Sequence, residues 1–240
     1  MNDADMTMDE ILVSTSEVLV ELARELVRRG DEEYRKDPQS QASACFFLAI
    51  HAVSLLCGIG TLLQPQTRDS LKVLMRGYLE ARDLLLTFRF DDQGIRNKVV
   101  HWFAGNMDSS WKAEHKRCDT FFAKLGFSGT DFGKKWSQTT TLAHPTRYAA
   151  QNSVACATLW AGSRVEDFTA IMELETADYL TAIAELIVIA TYDFSGLIPM
   201  GCDLNRMPKI DPFRQNVYAV AVPILNKNRD GSLPPNSYRS

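Results

Sequence analysis

The chain has 240 residues, of which 45% are hydrophobic and 23% charged, as expected for a globular protein that buries a core. Its 30 acidic and 26 basic residues give a formal net charge of −4, which excludes a global positive field that would attract nucleic acid or an anionic membrane. The five cysteines include no Cys-x-x-Cys pair, which favours reduced thiols over a zinc site or a disulfide framework. The acidic start of the chain lacks the features of a secretory signal and predicts a cytoplasmic protein.

Three long helices are predicted in the first 90 residues. The first begins at a capping box formed by Thr7 and Glu10 and ends at Gly30. The second spans about residues 41–63 and the third about residues 69–88. The second is long and apolar enough to cross a bilayer, but its scattered polar residues and the lack of flanking Trp or Tyr favour a helix buried in a bundle. We therefore expect no membrane span.

Shorter elements are predicted in the middle of the chain. An aspartate cap precedes a fourth helix over residues 96–103, and a fifth helix is predicted over residues 109–125. Residues 156–173 are compatible with one helix or with two short strands, so the pattern leaves both open. Residues 175–194 predict a last strong helix, because their apolar residues recur at helical spacing.

These elements predict an all-α fold, an antiparallel helical bundle of six to seven helices that occupies residues 1–195. Residues 196–240 are expected to form an irregular, proline-containing C-terminal extension, because proline breaks a helix interior. Its last ~15 residues, 226–240, are expected to be mobile. The prolines on which this expectation rests are Pro199, Pro208, Pro212, Pro223, Pro234 and Pro235.

The fourth predicted helix carries the most specific chemical pattern, Arg96-Asn97-x3-His101. Arginine offers a fixed positive fork for a phosphate group, and histidine can accept or donate a proton near neutral pH. Together they suit cleavage of an RNA backbone by its own 2′-hydroxyl, in which a base removes the hydroxyl proton and a cation stabilises the transition state. This chemistry predicts catalytic roles for Arg96, Asn97 and His101 and needs no cofactor or metal.

The pattern resembles the RNA-cleaving motif of the HEPN superfamily, in which an arginine followed by a polar residue precedes a histidine on one helix of a four- or five-helix bundle. The resemblance implies a metal-independent endoribonuclease, of the kind found among toxins and antiviral proteins, although other members are inactive binding domains. Many members dimerise so that two motifs face one cleft, which implies RNA and a second copy of the chain as partners. The motif usually lies in the last core helix, whereas this chain continues for more than half its length beyond it.

A second polar cluster is predicted from Arg76, Glu80, Ser137 and His144. Their pattern, Arg-x3-Glu-Ala followed by Ser and His-Pro-Thr, resembles an uncharacterised group of bacterial helical proteins and implies a helical bundle without a settled activity. Arg76 and Glu80 lie four residues apart on one face of the third helix, so they should pair where they are buried. The cluster is either a structural network or a pocket for a small anion.

The sequence thus leaves three functions open: a HEPN-like metal-independent endoribonuclease, a non-catalytic helical interaction module, and a small-anion pocket protein. No pattern indicates DNA as a partner.

Overall fold

The computed structural model describes residues 7–64, 67–90, 95–105, 165–191 and 200–229. Within this part of the chain all regular structure is helical, which confirms the predicted all-α class. The α-helices are α1 (Met8–Lys36), α2 (Gln41–Thr61), α3 (Arg68–Phe90), α4 (Ile95–Phe103), α5 (Val165–Thr191) and α6 (Ile210–Arg229), with a short 3-10 helix at Leu204–Arg206. The predicted helix at 109–125 lies outside the described residues, as do residues 156–164 of the ambiguous segment, whereas residues 165–173 belong to α5.

Helix α1 begins where the sequence predicts it and ends later. The Thr7 hydroxyl accepts a hydrogen bond from the Glu10 amide at 3.3 Å, and the Glu10 carboxylate accepts one from the Thr7 amide at 2.7 Å, so both halves of the capping box form. Gly30 was expected to end the helix, but α1 continues to Lys36. At Gly30 a Cβ atom would lie 3.1 Å from Phe46 Cβ, so this glycine permits close packing of α1 on α2.

The first three helices form an antiparallel layer. Gly30 near the end of α1 lies against Phe46 near the start of α2, and the Gln41 side chain at the start of α2 donates a hydrogen bond to the Phe88 carbonyl near the end of α3. The hydrophobic core is continuous across the described helices and includes Leu22 of α1, Leu56 of α2 and Ile183 of α5, all fully buried. This layer is the scaffold on which α4 and α5 are placed.

Helix α2 is the one described helix that is long and apolar enough to cross a membrane, with a mean hydropathy of 2.1. Just over half of its apolar window, 56%, is buried inside the protein. Its outward positions include His51, Ser54 and Thr61, which are exposed, so the helix presents a partly polar face on one side and an apolar face to the core on the other. Such a distribution is typical of a central helix of a bundle.

The C-terminal part of the chain corrects a prediction. Residues 210–229 were expected to lie in an irregular extension, yet they form α6, which packs on α1 and α5 and buries Ile210, Phe213 and Val217. Proline is tolerated here for two reasons. Pro212 lies in the first turn, where the backbone amide needs no partner within the helix. Pro223 lacks the amide that would bond to the Ala219 carbonyl, but both residues are exposed, so that carbonyl can bind water instead.

The predicted boundary at residue 195 therefore does not separate a bundle from a tail, because α6 is part of the bundle. Of the residues expected to be mobile, 226–229 complete α6 and 230–240 lie outside the described residues.

Candidate functional site

Helix α4 brings the predicted catalytic residues onto one continuous helix. Arg96, Asn97 and His101 all lie within Ile95–Phe103. A separation of five residues places Arg96 and His101 about 7.5 Å apart along the helix axis and about 140° apart around it, an angle that a long arginine side chain can partly bridge. The side chains of Arg96 and Asn97 lie outside the described part of the structure, whereas His101 is described and exposed.

The orientation of His101 follows from the apolar residues around it. Val99 is buried, and the Trp102 ring packs edge-on against Phe88 of α3 with their centroids 5.9 Å apart. Phe103 packs edge-on against Phe47 of α2 at 6.2 Å. These contacts fix the inner face of α4, so His101 lies on its outer side, and it forms no hydrogen bond or ion pair with any other residue that the structure describes. Its imidazole is thus available to a ligand.

The two residues that follow His101 in the sequence help to line an aromatic groove. Trp102 and Phe103 of α4, Phe47 of α2 and Tyr34 of α1 line it together with Pro38 and Gln39, around a concavity of about 440 Å³. The rings meet edge to face: Tyr34 and Phe47 have centroids 5.8 Å apart, and Trp102 and Phe103 5.0 Å apart. Tyr34 and Phe47 remain 46% and 42% exposed, so part of each ring is open to stacking by a flat ligand. We call these six residues the aromatic groove.

The charges near the aromatic groove are largely balanced. At the end of α1, Arg35 pairs with Asp31 at 2.8 Å and Lys36 pairs with Glu33 at 2.7 Å. This end of α1 therefore contributes no positive field of its own, and a phosphate group at the site would depend on the cationic residues of α4.

The second predicted cluster is described in part. Arg76 Nε and Glu80 Oε1 lie 2.7 Å apart, and the side chains are 12% and 28% exposed, so the two residues pair on α3 as expected. Ser137 and His144 lie outside the described residues, and whether they join this pair stays a prediction. The guanidinium charge of Arg76 is balanced by Glu80, which leaves it a weaker anion receptor than an unpaired arginine.

Close to this pair lies a buried ionic network that sequence reasoning missed. Arg82, whose side chain is 2% exposed, donates to Asp83 Oδ1 at 2.7 Å and to Glu185 of α5 at 3.1 Å. The Tyr78 hydroxyl donates to the Ala182 carbonyl at 2.8 Å. We call Tyr78, Arg82, Asp83 and Glu185 the buried ionic network.

The electrostatics of this network keep Tyr78 protonated and Arg82 charged. Burial and the Glu185 carboxylate raise the pKa of Tyr78 well above its usual value, so the phenol stays protonated. Burial alone would lower the pKa of Arg82, but Glu185 and Asp83 together raise it above its ordinary value. The network therefore joins α3 to α5 as a fixed structural unit.

Two further groups are excluded as nucleophiles by their surroundings. Burial raises the pKa of Cys45 and of Cys202 to about 12, so both thiols are protonated near neutral pH. Among the described residues no group of three His, Cys, Asp or Glu side chains could hold a metal ion. The exposed His101, which precedes two residues of the aromatic groove in the sequence, is thus the strongest candidate site in the described part of the chain.

In comparisons with known proteins the chain matches no family model, no curated protein and no solved structure. The resemblance to the HEPN superfamily therefore stays a prediction based on Arg96, Asn97 and His101.

Proposed function

We propose that the chain is a HEPN-like, metal-independent endoribonuclease that works in the cytoplasm, with His101 as the general acid or base. The observation that carries the proposal is the position of His101, exposed and unbonded among the described residues, immediately before two aromatic residues of the groove. Single-stranded RNA is recognised by stacking its bases on aromatic rings, so the groove would hold a base while His101 reaches the adjoining backbone.

The proposed reaction is an internal transfer at one phosphodiester. His101 removes the proton from the ribose 2′-hydroxyl, and the 2′-oxygen attacks phosphorus. The bond from phosphorus to the 5′-oxygen breaks, and that oxygen takes up a proton. The products are a 2′,3′-cyclic phosphate and a free 5′-hydroxyl. Arg96 would stabilise the extra negative charge on the phosphate oxygens in the transition state, and Asn97 would orient the backbone.

The test is cleavage of single-stranded RNA by purified protein in the presence of EDTA, with the wild type compared with His101→Ala. We expect the substitution to lower the rate by about 10²- to 10⁴-fold, the usual contribution of a positioned acid or base. Because His101 is exposed, the free energy of unfolding should change by less than about 0.5 kcal/mol.

The matched control is His51→Ala, which removes an exposed histidine from α2 rather than from α4 and should leave the rate unchanged. An RNA carrying a 2′-deoxy sugar at the cleaved nucleotide should resist cleavage. If the wild type cleaves no RNA, or if His51→Ala and His101→Ala lose activity equally, the proposed reaction is wrong.

The non-catalytic interaction module is the second candidate, and the exposed rings of the aromatic groove favour it equally. It predicts that wild type and His101→Ala bind single-stranded RNA alike and that neither cleaves it. The small-anion pocket around Arg76, Glu80 and His144 is less favoured, since the Arg76 charge is already paired with Glu80.

A further inference from the structure

The outer face of α1 carries an apolar stripe that stays exposed among the described residues. Val13, Val20, Val27 and Tyr34 are 79%, 45%, 53% and 46% exposed, and they account for four of the nine large exposed hydrophobic residues in the described part of the chain. They recur every seven residues, and seven residues make almost two helical turns, so the four side chains form one line along the helix. We call this line the valine stripe.

A spacing of seven with β-branched residues at the repeated position is the pattern of a two-stranded coiled-coil contact. Three residues after Val13 and after Val20 the chain has a small residue, Ser16 and Ala23. Small side chains at these positions let a second helix approach closely. The opposite side of α1 already buries Leu22 and Leu26 in the core, so the valine stripe is a second apolar face.

The charges beside the stripe identify what covers it. Glu17 lies three residues before Val20 and Arg24 four residues after it. Glu17 binds Lys209, which immediately precedes α6, with one oxygen at 2.5 Å, yet its side chain remains 62% exposed. Arg24 is exposed and forms no ion pair with any other residue that the structure describes. A concavity of about 310 Å³ beside Val20 is lined by both of these charged residues.

We propose that the valine stripe binds the same stripe of a second copy of this chain, with the two α1 helices antiparallel and a two-fold axis at Val20. In this arrangement Val20 meets Val20 of the second copy, and Val13 meets Val27 of the second copy. Glu17 then lies almost level with Arg24 of the second copy, and the same pair forms again on the other side of the axis.

The antiparallel direction is selected by these charges. In a parallel pair related by an axis along the helices, Glu17 and Arg24 of one copy would lie on the opposite side of the contact from those of the other copy, so no ion pair would form between them. Only the antiparallel pair brings Glu17 close to Arg24 of the second copy. The valine contacts from Val13 to Val27 extend over about 21 Å of helix. The contact from Val13 to Val27 does not include Tyr34 of the aromatic groove, so it is separate from the motif on α4 and from the proposed RNA cleavage.

The first test is sedimentation equilibrium of the full chain. We expect a monomer–dimer equilibrium in the wild type. Val20→Glu should raise the dissociation constant by at least about 100-fold, because the axis brings the two new carboxylates together in an apolar contact. The matched control is Val73→Glu, which places the same charge at a valine of α3 that is 51% exposed and lies outside the stripe. This control should dimerise like the wild type.

The second test reports the alignment directly. Val20→Cys should form a disulfide-linked dimer under mild oxidation, because the axis places residue 20 against itself. Val13→Cys should not link to itself but should link to Val27→Cys when the two variants are mixed. The wild type, oxidised in the same way, measures how much linkage arises from the native cysteines.

A wild type that stays monomeric across the accessible concentration range overturns the proposal. A dimer that Val20→Glu leaves intact does the same. Linkage of Val13→Cys to itself as readily as Val20→Cys, with none between Val13→Cys and Val27→Cys, would show a parallel pair and would also overturn it. Since none of these measurements involves RNA, they stand or fall separately from the ribonuclease activity.

Discussion

Two regions of this protein use charged and aromatic residues in opposite ways. In the buried ionic network, Arg82 is almost fully enclosed and each of its partners lies within about 3 Å. On α4, His101 is exposed and unbonded among the described residues, and the two residues that follow it line a groove with partly exposed rings. A charged group with every partner in place holds helices together, whereas an ionisable group without a partner is available to a ligand. The first region should therefore control stability and the second activity.

The largest effect that tests this comparison is expected from Arg82→Met. Removing the guanidinium leaves the Asp83 and Glu185 carboxylates without their partner in a buried position, so the free energy of unfolding should fall by about 3–5 kcal/mol. Urea denaturation measures it. The control is Arg35→Met, which breaks a surface pair with Asp31 in which the arginine is 77% exposed, and it should cost less than about 1 kcal/mol. Equal losses in the two variants would show that burial does not distinguish them.

The next effect concerns the exposed region. Phe47→Ala should weaken binding of single-stranded RNA by about tenfold, since stacking of one base on one aromatic ring contributes about 1–3 kcal/mol. Filter binding or fluorescence anisotropy measures the dissociation constant. Tyr218→Ala serves as the control, because Tyr218 is an aromatic residue of α6 that is 51% exposed and lies outside the groove. RNA affinity that is unchanged in Phe47→Ala would remove the groove from the binding site.

The smallest effect is expected at Glu25, whose carboxylate has partners but is not part of the buried ionic network. Glu25 of α1 is 3% exposed and accepts hydrogen bonds from Arg28 Nη2 at 2.6 Å and from the Asp203 amide at 3.0 Å. The Arg28 hydrogen bond, more than any other contact, holds the pKa of Glu25 below its ordinary value. A lowered pKa means that the folded state favours the ionised form. The stabilisation is therefore present above the pKa of the unfolded chain and is lost as pH falls through the pKa of the folded state.

Glu25→Gln should accordingly lower the free energy of unfolding by about 1 kcal/mol at neutral pH and by less in acid, where the wild type also loses the charge. Denaturant titrations of both proteins across the acidic range measure this difference. A difference that stays constant with pH would mean that the Glu25 charge contributes nothing.

Local signals in the sequence predicted much of the fold. Thr7 and Glu10 formed a capping box because both partners lie within one helical turn, and the approximate boundaries of α2 and α3 followed from apolar spacing. Gly30 was misread as a stop, since its propensity to end a helix is overridden by packing against Phe46. Pro223 was misread as a helix breaker, because only the structure shows that this side of α6 faces solvent.

The candidate sites were less predictable because their partners are distant in the chain. The Arg82–Glu185 contact spans 103 residues, and two adjacent charged residues such as Arg82 and Asp83 normally indicate a surface. The aromatic groove combines Tyr34 of α1, Phe47 of α2 and Trp102 of α4, which no sequence window contains together. His101, by contrast, was identified from its own helix, as was Arg96.

The pairing of Arg82 with Glu185 also determines the register of α5 against α3, that is, which residues of the two helices face each other. The Lys72 side chain donates to the Glu175 carboxylate, and the Tyr78 hydroxyl donates to the Ala182 carbonyl. Residues further along α3 therefore contact residues further along α5, so the two helices run in the same direction. Most inward residues of α5 are Ala, Leu or Ile, and apolar contacts of this kind would tolerate a slip of one turn. Such a slip would carry Glu185 about 5.4 Å away from Arg82 and break the ion pair that joins the two helices. The ion pair thus fixes one register for α5, where its apolar contacts alone would allow more than one.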